Sequence, residues 1–145
     1  MGAVVIDIRD EKRNYCFAAF DIGTTTLAGY LLDAKDGRVS AVESRMNPQI
    51  QYGADVIMRS DYALAYGTKV LSECIQRELN DMVGCLVKQA DKERTDILQV
   101  CVVGNTCMHH LFLGISPAWQ PAGCWAVRFR TFGSDGSAAA AGPDG

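Results

Sequence analysis

The sequence contains no run approaching the roughly 20 consecutive apolar residues that cross a bilayer as a helix. Its apolar start, Ala3-Val4-Val5-Ile6, runs straight into Asp7, Arg9, Asp10, Glu11 and Lys12, so neither a signal peptide nor a membrane anchor is expected. A basic stripe is also missing. The 14 Lys and Arg are interspersed with 17 Asp and Glu for a net charge of -3, which argues against a nucleic-acid partner. No Cys-x-x-Cys pair occurs: Cys16, Cys74, Cys85, Cys101, Cys107 and Cys124 are scattered, without zinc or iron–sulfur spacing. Reduced thiols in a cytoplasm fit that pattern, with Cys74, Cys85 and Cys101 acting as small hydrophobes inside regular elements. There is no internal repeat.

What is present is enough apolar material, 48% of 145 residues, for one folded core. Val4 to Ile8 reads as a short strand in an N-terminal extension spanning residues 1–14. Tyr15 to Phe20 is a continuous apolar run that suits a strand buried on both faces. Leu27 to Leu32 is a second strand, and the Asp36-Gly37 hairpin signal returns the chain into a third over Val39 to Arg45. From Gly53 the period becomes helical, with Asp55 and Arg59 spaced to pair at i, i+4 and Gly67 separating this helix from a longer one. The longer helix carries an apolar seam of Leu71, Ile75, Leu79, Met82 and Leu86. Ile97 to Val103 is another strand, followed by Gly104-Asn105-Thr106 and a short helix to about Gly114. This order predicts an α/β, ribonuclease-H-like subdomain over residues 15–117: three antiparallel strands, helices, and a strand parallel to the first. Residues 118–145, rich in Gly, Ala and Ser, are expected to form a poorly ordered tail.

The chemistry centres on Asp21-Ile22-Gly23-Thr24-Thr25-Thr26. A carboxylate leaves the end of a buried strand, glycine permits a tight reversal, and consecutive amides and hydroxyls converge where phosphate oxygens bind. Asp21 would repel phosphate as a direct ligand, so its expected catalytic task is to hold Mg²⁺ or a metal-bound water. Gly104, Asn105 and Thr106 lie at a strand's carboxyl end, where open α/β sheets place ligands. Asn47 and Gln49 offer amides on a Pro-rigidified loop, with Tyr52-Gly53 leading into the helix start; turn and helix entry alone would also account for them. The adjacent His109 and His110 point about 100° apart on a helix, so one packed and one cleft-facing histidine is favoured over a metal site. Cys107 sits near a helix N-terminus, a position that can lower a thiol pKa.

The threonine loop in this strand context resembles the first phosphate loop of the actin-like ATPase superfamily, which includes sugar and acetate kinases and the seventy-kilodalton chaperones. Together with the runs Asn47 to Arg59 and Val102 to Ile115, it resembles more narrowly the reductive activators of corrinoid proteins, over about residues 17–117. That resemblance implies an ATPase that drives electrons from its own [2Fe–2S] cluster to a Co(II) corrinoid, with a corrinoid protein as partner. It also implies phosphate and Mg²⁺ at Asp21 and Gly23 to Thr26, a cleft lined by Gly104 to Thr106, and substrate or partner contacts at Asn47, Gln49, Tyr52, Asp55, Arg59 and His109.

The departures matter too. The cluster domain is expected to lie outside this chain. The second phosphate loop, the adenosine-binding segment and the second lobe should follow residue 117, where truncation or a change of reading frame near Pro117 would explain the tail found instead. About three charge-assisted hydrogen bonds at roughly 1.5 to 3 kcal/mol each, less immobilisation, barely reach the roughly 4 kcal/mol of millimolar binding. Negligible ATPase activity is therefore expected of these residues alone. The alternatives are a small-molecule kinase of the same fold, or a non-catalytic interaction module that pairs with a partner, or with itself as a homodimer, through the sheet edge or the Asn47 to Arg59 segment. A nuclease of the ribonuclease H type would need several converging carboxylates, and only Asp21 has a suitable strand position.

Overall fold

Strands β1 (Cys16–Ile22), β2 (Thr26–Asp33) and β3 (Val39–Met46) form an antiparallel meander, and β4 (Ile97–Gly104) lies parallel beside β1. Helices α1 (Val56–Tyr66) and α2 (Lys69–Gln89) connect β3 to β4, and α3 (Thr106–Leu113) follows β4. This is a computed structural model, and it describes residues 13–118 and the backbone of residues 127–129. The expected architecture is found. The strand expected at Val4 to Ile8 lies outside the described residues.

Each turn has a local cause. Between β2 and β3, Gly37 adopts φ 71° and donates to the Asp33 carbonyl, while the Asp33 amide donates to Arg38, so the hairpin closes on a backbone conformation that favours glycine. Asp55 caps α1 by accepting from the Met58 amide at 2.8 Å. Gly67 (φ 88°) ends α1, and Gly114, in the left-handed region, ends α3. The loop over Asn47 to Tyr52 holds a short 3-10 turn, Pro48–Tyr52, with Asn47 as its cap.

The core lies between one face of the sheet and α2. Leu71, Ile75, Leu79, Met82 and Leu86 are all buried, as the helical spacing predicts, and they face Ala18, Phe20, Ile22, Leu27 and Leu31. Gly29 is a packing requirement here, because a Cβ would sit 2.8 Å from the Phe20 ring and 3.1 Å from the Met82 methyl. At the edge, Arg45 ties β3 to α2 by bonding Glu43 (3.0 Å), Glu78 (2.9 Å) and the Cys85 sulfur (2.9 Å).

Two expectations are corrected. β1 is not buried on both faces: Cys16, Ala18, Phe20 and Ile22 point into the core, while Phe17 is 38% exposed on the opposite face, where Tyr30 and Val42 are exposed as well. An apolar run alone cannot report that a second layer covers only one side. A fifth strand, β5 (Val127–Phe129), pairs antiparallel with the free edge of β4. A β-prone triplet suffices there because the edge offers unpaired backbone groups. The remainder of the tail expectation falls outside the described residues.

Truncating Ile75 to Ala should lower stability by about 2–5 kcal/mol, read as a drop in the urea midpoint at constant slope, whereas Ile57→Ala on the exposed face of α1 should stay within about 0.5 kcal/mol. Burial also pushes the Cys16 thiol up to about 11 from an ordinary 9.0. The folded chain therefore keeps a proton that the unfolded chain releases. The associated stability is complete below the lower value and falls, by at most about 1.4 kcal/mol per pH unit, as pH climbs between the two. Urea midpoints of wild type and Cys16→Ala, compared below and within that window, should converge as pH rises.

Candidate phosphate-binding site

At the carboxyl ends of β1 and β4, Ile22 lies beside Gly104 in the parallel register. A Cβ on Gly104 would fall 2.9 Å from the Ile22 carbonyl oxygen, so only glycine allows the two backbones this approach. The β1–β2 turn thus sits against the start of α3. There Asn105 caps the helix through Met108 N at 3.0 Å, and its Nδ2 reaches Thr24 Oγ1 at 3.5 Å. Asp21, Gly23 to Thr26 and Gly104 to Thr106 are therefore gathered at one end of the sheet, with Asp21, Thr25 and Thr26 exposed and Thr24 half-buried.

Every carbonyl of the turn is occupied from within the chain. Gly23 O accepts from Asn47 Nδ2 (2.8 Å), Thr24 O from Arg59 Nη2 (2.7 Å), Thr25 O from the Asn47 amide (2.8 Å) and Thr26 O from the Gly23 amide (3.0 Å). In a trans peptide the carbonyl and the following N–H point in opposite directions. No cis bond occurs among the described residues, so the amides of Thr24 and Thr25 face away from those donors, and they bond to none of the described residues. Two free amides, exposed threonine hydroxyls, a helix N-terminus and an exposed carboxylate make an arrangement able to hold an anion together with its cation.

Of the residues expected to contact a substrate or partner, Asn47 and Arg59 hold this turn from behind and only Asp55 is exposed. Asn47 is fully buried: its side chain accepts from the Gln49 amide at 2.9 Å while donating to Gly23. Gln49, also buried, donates to Leu71 O at 3.0 Å and fixes the 3-10 turn to α2. Tyr52 is half-buried, its ring tilted against Tyr62 at a centroid distance of 5.0 Å. Asp55 is exposed but engaged as the α1 cap, so the expected Asp55–Arg59 pair does not form. Arg59 turns inward instead, 0% exposed, donating to Gly53 O (2.8 Å) and Thr24 O and approaching Met108 Sδ (3.5 Å). Burial lowers its pKa from the ordinary arginine value.

On α3 the two histidines sit in unlike environments, and His109, the one expected to contact a substrate or partner, is buried. His109 is the packed one, 3% exposed, with neither ring nitrogen bonded to a described residue, and burial followed by neighbouring His110 lowers its pKa. Half-buried His110 places Nδ1 2.7 Å from Thr106 O. His109 therefore lies in the interior, which does not suit the substrate or partner contact expected of it. Cys107 is not activated by the helix start: burial outweighs the Ser60 hydrogen bond and Arg59 and pushes its thiol up. What the sequence reading missed is the anchoring of the loop by Asn47 and Arg59. A signal existed, since Val56, Arg59 and Ala63 recur at helical spacing, with arginine at an apolar-face position.

A family model described as the RACo middle region matches residues 16–121. The corrinoid activation enzyme RamQ of Eubacterium limosum is 41% identical over 122 residues, covering 80% of this chain and 20% of that protein. The solved structure of a reductive activator for a corrinoid, iron–sulfur protein superposes with a TM-score of 0.71 at 34% identity, covering 74% of this chain and 18% of its own. The chain thus spans about a fifth of the length of either relative.

Asn47→Ala strands the Gly23 carbonyl and the Gln49 amide in the interior and should cost about 2–4 kcal/mol in urea unfolding. Asp55→Ala, which removes a solvent-exposed cap, should cost about 1 kcal/mol. Equal losses in the two variants would contradict the anchoring role of Asn47.

Proposed function

The chain belongs to the RACo middle region family of reductive activators of corrinoid proteins, and from that premise we propose that it is the nucleotide-phosphate-binding part of such an activator. The observation that carries this reading is the inward commitment of all four turn carbonyls, which leaves the Thr24 and Thr25 amides free beside Asp21 and the amino end of α3. The amides and the Thr24, Thr25 and Thr26 hydroxyls hold phosphate oxygens of ATP, and Asn105 joins them from across the β1–β4 junction.

The donor set suits Mg²⁺ with its water shell. Asp21 is a hard oxygen ligand, exposed at a strand end and separated from the Thr24 amide by Ile22 and Gly23, so it would hold a metal-bound water without crowding phosphate. When bound, the metal neutralises phosphate charge and stabilises charge developing in phosphoryl transfer. This chain's own residues bind and orient: the turn fixes the phosphate, Gly104 keeps β4 close, and Asn105 sets the spacing between turn and helix. The described residues do not suit a [2Fe–2S] cluster, since no three His, Cys, Asp or Glu side chains gather among them. No step is derived through one. In the whole activator, nucleotide turnover couples to reduction of a corrinoid protein, a reading supported by the names of both relatives, which refer to corrinoid activation. No helix among the described residues is long and apolar enough to cross a membrane.

Titrating Mg-ATP or Mg-ADP into the chain at roughly millimolar concentrations should shift amide resonances of residues 21–26 and 104–106, and Asp21→Ala should abolish the shifts. A folded wild-type chain that shows no shifts would overturn phosphate binding by these residues alone.

A further inference from the structure

Arg59 is a fully buried cation that forms no ion pair among the described residues. Asp55, the cap of its own helix, spends its carboxylate on the Met58 amide. A charge in that position is costly unless its environment returns the lost hydration. Here the return comes from two carbonyl oxygens, Gly53 O at 2.8 Å and Thr24 O at 2.7 Å, and from Met108 Sδ. One of those carbonyls belongs to the threonine turn, so the guanidinium lies directly behind the Thr24–Thr25 peptide, whose N–H faces the opposite way.

We propose that Arg59 is a positioning residue for the phosphate turn: it fixes the Thr24–Thr25 peptide with its amide outward, and its buried charge, acting through that one peptide group, is balanced by the anion bound in front. This rests on the phosphate-binding reading above and adds the device that presets the turn. The geometry explains why arginine stands on the apolar face of α1, where a hydrophobic side chain would pack at lower cost. It also explains Gly53, where a Cβ would come within 2.7 Å of the Arg59 amide nitrogen and push α1 away from the turn. A lysine could reach one carbonyl but could not hold Gly53 O and Thr24 O in a fixed fork.

The test uses the full 145-residue chain, Arg59→Met and Arg59→Lys, amide spectra without ligand, and inorganic tripolyphosphate as the probe. In the ligand-free spectra, both variants should shift or broaden the resonances of residues 23–26 while the amides of α2 and β2 beyond Leu27 keep their positions, a pattern that a general loss of stability would not give. Tripolyphosphate should bind Arg59→Met roughly tenfold more weakly than wild type, with Arg59→Lys in between because it retains the charge. If Arg59→Met fails to fold, Arg59→Lys carries the comparison. Unchanged turn resonances in a folded variant overturn the proposal, whatever the wild type binds. Disturbed turn resonances in the variants, with no tripolyphosphate binding by wild type, would keep the positioning role and overturn the phosphate reading and the charge balance.

Discussion

The structure depends on one close approach, that of the β1 and β4 backbones at Ile22 and Gly104. Parallel strands cannot be joined by a hairpin, so the pairing must be built by α1 and α2 crossing over between them. Once it forms, the β1–β2 turn and the start of α3 have nowhere to go but beside each other, and the 2.9 Å clearance that a Cβ would violate shows how little slack the junction holds. The core beneath serves that junction. Phe20, Ile22 and Val102 point down onto α2 and the buried residues of α3, so the packing that stabilises the sheet also sets the height of the turn above it.

A second layer of control is polar and buried. Asn47 arrives at the end of β3 and Arg59 from the first turns of α1, so two separate elements grip a four-residue turn by its carbonyls. Burying these groups would be destabilising if any were left unpaired, and the cost is contained because each bonds to backbone whose alternative partner is water. The result is a turn whose amides are oriented before any ligand arrives. Ligand binding then need not supply the entropy of ordering the loop, which matters for a site with few contacts.

Much of the fold was legible because its causes are local. Asp36-Gly37 dictates a hairpin, Leu71 to Leu86 dictates a helix with one buried seam, and Gly104 followed by Asn105 marks a strand ending in a capped helix. The threonine turn was legible as a tight reversal for the same reason, since adjacent residues supply the glycine, the amides and the hydroxyls. What was not legible depends on which surfaces meet. The exposed face of β1 reflects the layer packed on the other side of the sheet, and β5 reflects an edge left open by β4. The direction of Arg59 was misread because i, i+4 spacing offers Asp55 as a surface partner. Asp55 gains more by capping α1, and Arg59 gains more from the Gly53 and Thr24 carbonyls than from a solvent-exposed pair worth well under about 1 kcal/mol.

The same contrast explains why buried polar residues and the exposed turn form one unit. A carbonyl that faces inward commits its peptide's N–H to face outward, so each donor placed behind the turn acts on the side where a ligand would sit without touching it. Asn47 determines the peptide that ends in Thr24 N–H, and Arg59 the one that ends in Thr25 N–H. The Asn47 backbone, through Thr25 O, determines the next, so the residue that directly follows β3 acts twice. Three consecutive peptides are thereby aimed by groups that a contact list around a phosphate would omit. Under the proposed phosphate-binding role, the residues that serve the turn accordingly include side chains with no solvent exposure, and what they supply is orientation and one buried cation.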